Sequence, residues 1–252
     1  MRFGIIGGSG SAVLRPPDAA LIPESVADTP FGPPSSPLWR WTRGRWEFLL
    51  QHRHGDPHAL PPHAVNYRAN IWQLHRAGVT AAVGANTVGH IAPGIATSGL
   101  VLPDQLIDYT WGRVATFGGV GGLPAAGPHI DFTWPFDAGL RAMLLAAARA
   151  AGLAVTPTGT YGVTQGPRLE TAAEIARLAR DGCTIVGMTA MPEAALAREA
   201  GLAYALLCVA VNPAAGCGVP GESIHAGMAE AAAAGLAEVE RVLAALPEST
   251  PG

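Results

Sequence analysis

The chain has 252 residues, of which 49% are hydrophobic and 14% charged, with a formal net charge of −3. That length and apolar content support one large α/β core and exclude a disordered chain. No Lys/Arg cluster appears, which argues against nucleic acid as a partner, and no apolar stretch of spanning length escapes interruption by polar residues and turns.

In chain order, RFGIIGG (2–8) reads as a short buried strand running into a glycine loop. Residues 15–37 are rich in proline and irregular. LWRW (38–41) and RWEFLLQ (45–51) flank a TRG turn and predict a hairpin. NYRANIWQLHRAG (66–78) has helical spacing and a glycine stop. TAAVGAN (80–86) predicts a strand that stops in a polar loop, and residues 117–128 are rich in glycine and proline. DAGLRAMLLAAARAAG (137–152) is an alanine-rich helix, and residues 153–164 are β-like. TAAEIARLARDG (171–182) predicts a helix, CTIVGM (183–188) a strand and PEAALAREAG (192–201) another helix. LAYALLCVAV (202–211) is a buried strand, and a last alanine-rich helix runs from Ser223 to about Leu246. The alternation favours an α/β fold. With no internal repeat and no long linker, a single domain over 1–252 is expected.

Three cysteines, Cys183, Cys208 and Cys217, fit no zinc or redox spacing. Cys183 and Cys208 lie in apolar runs and read as core residues. Met1 and Arg2 lead straight into a strand-like run rather than a signal peptide, so a cytoplasmic protein is expected.

Several stretches carry candidate chemistry. GGSG (7–10) ends a strand in small residues whose backbone N–H groups, with the Ser9 hydroxyl, suit an oxyanion; a plain tight turn is the alternative. Val13 stands where a dinucleotide fingerprint needs its third glycine, and a Gly-Lys-Ser/Thr ending is missing, which excludes both common nucleotide loops. Arg53 and His54 close a strand together, and arginine is a natural fork for phosphate. His54, His58 and His63 are separated by turns and prolines and lack an acidic companion, so no metal is expected. GMTAMPE (187–193) passes from strand to helix at Met188 and Thr189, the kind of strand end where α/β ligands sit. Asn212 ends an apolar strand in VAVNPAAG (209–216), as a turn residue or a ligand contact. In TQGPRLET (164–171), Glu170 follows a rigid turn. It is either an acid at the positive end of a helix or a group facing a ligand N–H.

The order of GGSG, RHG with NYRANIW, GPRLET, GMTAMPE and a strand ending in VNP resembles the trimeric purine nucleoside phosphorylase and methylthioadenosine phosphorylase family, over roughly residues 2–245. That resemblance implies a twisted mixed β-sheet, partly barrel-like, surrounded by helices. It implies that inorganic phosphate attacks C1′ of a purine nucleoside, with no cofactor. Catalysis then rests on positioning and electrostatics. By the same resemblance, Ser9, Arg53, His54 and Thr189 hold phosphate, helped by Asn86 and Thr87, and Met188 lies against the ribose.

Base choice follows from hydrogen-bond chemistry. A 6-oxopurine carries N1–H, which an ionised Glu170 accepts; adenine offers a lone pair there. Asn212 accepts from N7–H and donates to O6. Adenine-specific relatives place aspartates in the segment where this chain has Asn212 and Ala214. Such partners reject the wrong base by roughly 10⁴-fold. RHGDPHALPPHAVNYRANIW resembles the methylthio branch of the family, so the expected substrate is a 5′-methylthio 6-oxopurine nucleoside. Ile224 suits a methylthio group, whereas His225 suits a 5′-hydroxyl. His129, in HIDFTWPF (129–136), is the candidate contribution of a neighbouring subunit in a homotrimer. The rivals are an inosine/guanosine phosphorylase, a methylthioadenosine phosphorylase with altered base contacts, and a nucleoside-binding protein without turnover.

Overall fold

The computed structural model describes residues 1–22, 29–123 and 129–247. Parts of the two irregular stretches expected at 15–37 and 117–128 therefore lie outside the described residues. The described residues form a mixed sheet of eleven strands with five α-helices around it.

The first strand, β1 (Arg2–Gly7), pairs in parallel with β4 (Trp46–His52) and with β5 (Ala81–His90). The hairpin expected before residue 51 is present as β3 (Leu38–Arg43) against β4, with β2 (Ala20–Ile22) added at its edge. Gly44 turns it with φ of 55°, where a side chain would be strained. Helix α1 (Tyr67–Arg76) starts where the Asn66 side chain accepts from the Ala69 amide.

β5 is longer than its sequence pattern suggests. It does not stop at Asn86, because β11 (Ala203–Pro213) pairs with it in parallel along its whole length, to His90. Asn86 and Thr87 therefore lie on a strand and not in a loop. β11 likewise runs past residue 211, through a bulge between Ala210 and Asn212. The short strands β6 (Leu100–Val101), β7 (Gln105–Asp108), β8 (Val155–Thr156) and β9 (Thr160–Val163) extend the sheet in two wings, β11–β6–β8 and, through β10 (Ile185–Gly187), β10–β9–β7.

The strand β10 (Ile185–Gly187) sets up the site. It pairs antiparallel with the last residues of β5, on the edge that β1 leaves when it ends at Gly7. β1 and β10 thus approach each other tip to tip along one edge of β5. Their carboxyl ends meet beside Ala85 and Asn86, and the Gly8 amide closes the junction by donating to Ala85 O at 2.9 Å. A crevice at such a change of strand direction is where α/β sheets bind ligands.

Helices α2 (Ala138–Ala150) and α5 (Met228–Ala244) cover one face, and α1 packs with α4 (Ala190–Glu199). At Gly235 of α5, a Cβ would come within 2.1 Å of Val209 Cγ1, so only glycine lets the helix lie this close to β11. Helix α3 (Ala172–Arg180) begins with a complete capping box between Thr171 and Glu174. The last helix starts at Met228 and not at Ser223; residues 223–227 form turns that end at Gly227, with φ of 70°.

Candidate active site

A cavity of about 240 Å³ opens at the junction of β1 and β10. It gathers Ser9, Arg53, His54, Asn86, Thr87, Thr189, Glu170, Met188, Asn212, Ala214 and Ile224, which come from segments spread over most of the chain.

Arg53 follows β4 and is fully buried. Its Nε donates to Glu193 Oε2 at 2.6 Å and its Nη2 to Glu193 Oε1 at 2.7 Å, to Asn86 Oδ1 at 2.8 Å and to Ile6 O at 3.3 Å. Burial alone would lower its pKa. The charge and hydrogen bonds of Glu193 outweigh that and raise it further, so the guanidinium is permanently charged. Its Nη1 is buried and has no hydrogen-bond partner among the described residues. A Cβ placed on Gly8 would sit 3.1 Å from that nitrogen, so any side chain there would crowd it. A buried donor without a partner costs about 1–3 kcal/mol and marks a place for an acceptor.

Guanidinium only donates, so the end of Asn86 that faces Arg53 is its oxygen. The Asn86 Nδ2 end must then donate, and it does so to Thr189 Oγ1 at 3.1 Å and to Tyr161 Oη at 3.4 Å. With its oxygen accepting from Asn86, Thr189 keeps its own proton to donate elsewhere. Thr189 sits at the N-terminal cap of α4 and makes no side-chain capping bond.

His54 lies beside Arg53. Its Nδ1 is 2.8 Å from Leu60 O, and a carbonyl only accepts, so Nδ1 carries the proton. Its pKa is pushed down to about 4, first by burial and then by the Arg53 charge, with the Leu60 bond acting the other way. The ring stacks on His58, with centroids 4.6 Å apart. Among the described residues, no three His, Cys, Asp or Glu side chains come together to hold a metal.

A second group surrounds Glu170. This residue lies outside α3, whose start is already satisfied by Thr171 and Glu174. Its Oε1 accepts from the Thr164 hydroxyl at 2.6 Å, and the residue is half-buried on the cavity wall. The capping bonds at the start of α3 are thus made by Thr171 and Glu174, and Glu170 makes none of them. Asn212 is buried, and its Nδ2 donates to Pro213 O at 2.6 Å. Its second N–H and its Oδ1 remain for a ligand. Met188 packs under Gly166, where an added Cβ would lie 2.5 Å from its Sδ.

One expected residue falls elsewhere. His225 is exposed in the turn before α5 and does not line the cavity, whereas Ile224 and Met228 on either side of it do. His129, the residue expected to serve a neighbouring subunit, is exposed and does not line this chain's own cavity.

Residues 2–246 match the family model described as the phosphorylase superfamily. The chain belongs to this superfamily. It is 47% identical over 254 residues to a probable S-methyl-5′-thioinosine phosphorylase of Xanthomonas campestris pv. campestris, covering 98% of this chain and 95% of that one. It is 41% identical over 218 residues to the 6-oxopurine nucleoside phosphorylase of Pyrococcus furiosus, covering 85% and 80%. Among solved structures, it is similar to a mutant adenosine/methylthioadenosine phosphorylase of Schistosoma mansoni in complex with methylthioadenosine. The TM-score is 0.85 and the identity 29%, over 98% of this chain and 90% of that one.

In this member of the superfamily, four residues escaped the sequence reading. Glu193 reads as an ordinary first-turn helix acid, and Tyr204 is hidden in an apolar strand. Thr164 gives no signal beyond its place before the Gly-Pro turn. Arg113 comes from a loop without periodicity, yet its Nη1 donates to Met188 O at 2.8 Å and Met191 O at 2.6 Å, and its Nη2 to Gln165 O at 2.8 Å. It ties the strand end after β10 to the turn that carries Glu170.

Proposed function

We propose that this protein is a single-domain enzyme that cleaves a 6-oxopurine nucleoside with phosphate, with S-methyl-5′-thioinosine as its substrate and hypoxanthine and 5-methylthioribose 1-phosphate as its products. The observation that carries this reading is one cavity holding a buried arginine with a free Nη1 together with Glu170 and Asn212. The names of the relatives from Xanthomonas and Pyrococcus agree with it.

Phosphate oxygen forms the bond to C1′ as the bond from C1′ to N9 breaks. Arg53, Ser9 and Thr189 hold the phosphate as donors, with Thr87 beside them. His54, neutral and with its proton committed to Leu60 O, takes part through Nε2 as an acceptor from a protonated phosphate oxygen. Asn86 holds Arg53 and Thr189. Charge gathers on the leaving purine, and a proton ends on N7, balanced by the one that hydrogen phosphate gives up as it becomes the sugar ester. Asn212 Oδ1 accepts from N7–H while its free N–H donates to O6. Glu170 accepts from N1–H. Ile224 and Met228 supply apolar surface for a methylthio group, and the outward position of His225 weighs against a 5′-hydroxyl reading.

The working form is a homotrimer. Trp111 and Trp134 are 73% and 63% exposed, a large apolar area for an isolated chain, and His129 lies in the Trp134 segment. The reaction needs only phosphate as co-substrate, and its metabolites and free thiols fit a cytoplasmic enzyme.

The test is base release from S-methyl-5′-thioinosine, S-methyl-5′-thioadenosine and inosine, each with and without phosphate. Phosphate-dependent hypoxanthine release, fastest from the methylthio nucleoside, is expected. Fastest release from inosine would reassign the 5′ pocket, and preference for the adenine nucleoside would overturn the roles of Glu170 and Asn212. Binding without turnover would identify a nucleoside-binding protein.

A further inference from the structure

We infer that Glu193 is a positioning residue for phosphate, acting through Arg53, with Tyr204 as its support; this rests on the phosphate-site reading above. Glu193 is buried in α4, four residues after Thr189, and touches no part of the cavity. Both of its oxygens bind Arg53, and the Tyr204 hydroxyl donates to Oε1 at 2.5 Å. Gly84 makes room for this cluster, because a Cβ there would lie 2.6 Å from Tyr204 Oη.

The geometry determines what the cavity presents. Glu193 occupies Nε and one N–H of Nη2 in a two-point grip, which fixes the plane of the guanidinium. Asn86 takes Nη2 from another side and passes the orientation on to Thr189 through its amide. Of the donors in this Arg53–Asn86–Thr189 cluster, Nη1 of Arg53 and the proton of Thr189 remain for an oxyanion. If Glu193 lost its charge, Arg53 would swing or share its donors differently, and Asn86 would lose the constraint that fixes its flip.

Charge and geometry give opposite signs here, which makes the inference testable. Removing a carboxylate close to a phosphate site strengthens anion binding if only the field matters. It weakens binding if the carboxylate aims the donors. We expect the second. Steady-state rates with S-methyl-5′-thioinosine, varying phosphate and nucleoside separately, should show Glu193→Gln raising the phosphate KM by about 10- to 100-fold, the range for a lost charge-assisted grip. The nucleoside KM should stay within about threefold, and saturating phosphate should restore most of kcat. Tyr204→Phe should raise the phosphate KM by a few-fold in the same selective way.

A folded Glu193→Gln protein with an unchanged or lower phosphate KM would overturn the inference. So would a uniform loss of kcat at every phosphate concentration, the mark of a purely structural ion pair. If Glu193→Gln does not fold, Tyr204→Phe decides, and an unchanged phosphate KM there counts against the inference. Should the unaltered enzyme release base without phosphate, the phosphate-site reading itself fails, and this inference falls with it.

Discussion

Replacing Glu170 by glutamine should convert a strong preference for 6-oxopurines into a weak one. The Thr164 hydroxyl holds Oε1 at 2.6 Å, so the other oxygen is the one free to meet a base. In Glu170→Gln, Thr164 keeps its donation to the amide oxygen, which turns the N–H₂ end toward the cavity. That end meets the N1 lone pair of adenine as a donor and the N1–H of hypoxanthine as a clash of two donors. A hydrogen bond to a charged group contributes about 1.5–3 kcal/mol, so kcat/KM for the 6-oxopurine nucleoside should fall about 10- to 150-fold. Turnover of the adenine nucleoside should rise, and the ratio of the two should move by more than either alone. The assay is kcat/KM for S-methyl-5′-thioinosine and S-methyl-5′-thioadenosine at saturating phosphate, for the parent and the variant. Adding Thr164→Val to the Glu170→Gln variant removes the anchor and should blur the preference again. A ratio unchanged within about twofold in Glu170→Gln would show that Glu170 does not face N1.

Asn212→Asp removes the donor to O6 and should lower 6-oxopurine turnover about tenfold or more relative to 6-aminopurines; equal loss for both bases would remove Asn212 from base recognition. His54 titrates near 4 in the folded chain against 6.5 in the unfolded one, so between those values only the unfolded chain takes up the proton. Its contribution of about 3 kcal/mol is present above pH 6.5 and is lost as pH falls toward 4. Urea midpoints at several pH values should show that slope, and His54→Gln should reduce it, leaving the part that His52 and His90 add in the same direction. Arg113→Met leaves the carbonyls of Met188, Met191 and Gln165 without their donor. It should lower stability by about 2–3 kcal/mol and kcat/KM for nucleoside more than for phosphate, read by denaturant titration and kinetics.

The parts of the proposed site legible in the sequence share one property: their chemistry suits the proposed substrate. Glu170 after a rigid turn, Asn212 at the end of an apolar run and Arg53 with His54 each stand out as polar groups at element ends. The strands themselves were legible where apolar runs are long, as in β1, β4 and β11. β6 and β7 were not, because two to four residues carry no periodicity and only their neighbours make them strands. The stop expected at Asn86 failed for the same reason. A polar residue inside a strand looks like its end until Arg53 and Thr189 are seen to satisfy it.

What stayed hidden matches other side chains and not the substrate. The partner of Arg53 lies 140 residues away, in a helix turn whose local sequence explains Glu193 without it. A buried cation without a counter-charge is unstable, so the presence of Arg53 at the end of an apolar strand already demands an acid somewhere. The sequence poses that demand, and only the tip-to-tip meeting of β1 and β10 beside β5 shows which acid answers it. The same meeting explains why the groups proposed for phosphate and for base share one cavity. β4 and β5 deliver Arg53 and Asn86 from one side, while the ends of β10 and β11 deliver Thr189 and Asn212 from the other. A change that shortened β10 by a residue would therefore displace Thr189 and break its bond to the Asn86 amide, which also holds Arg53.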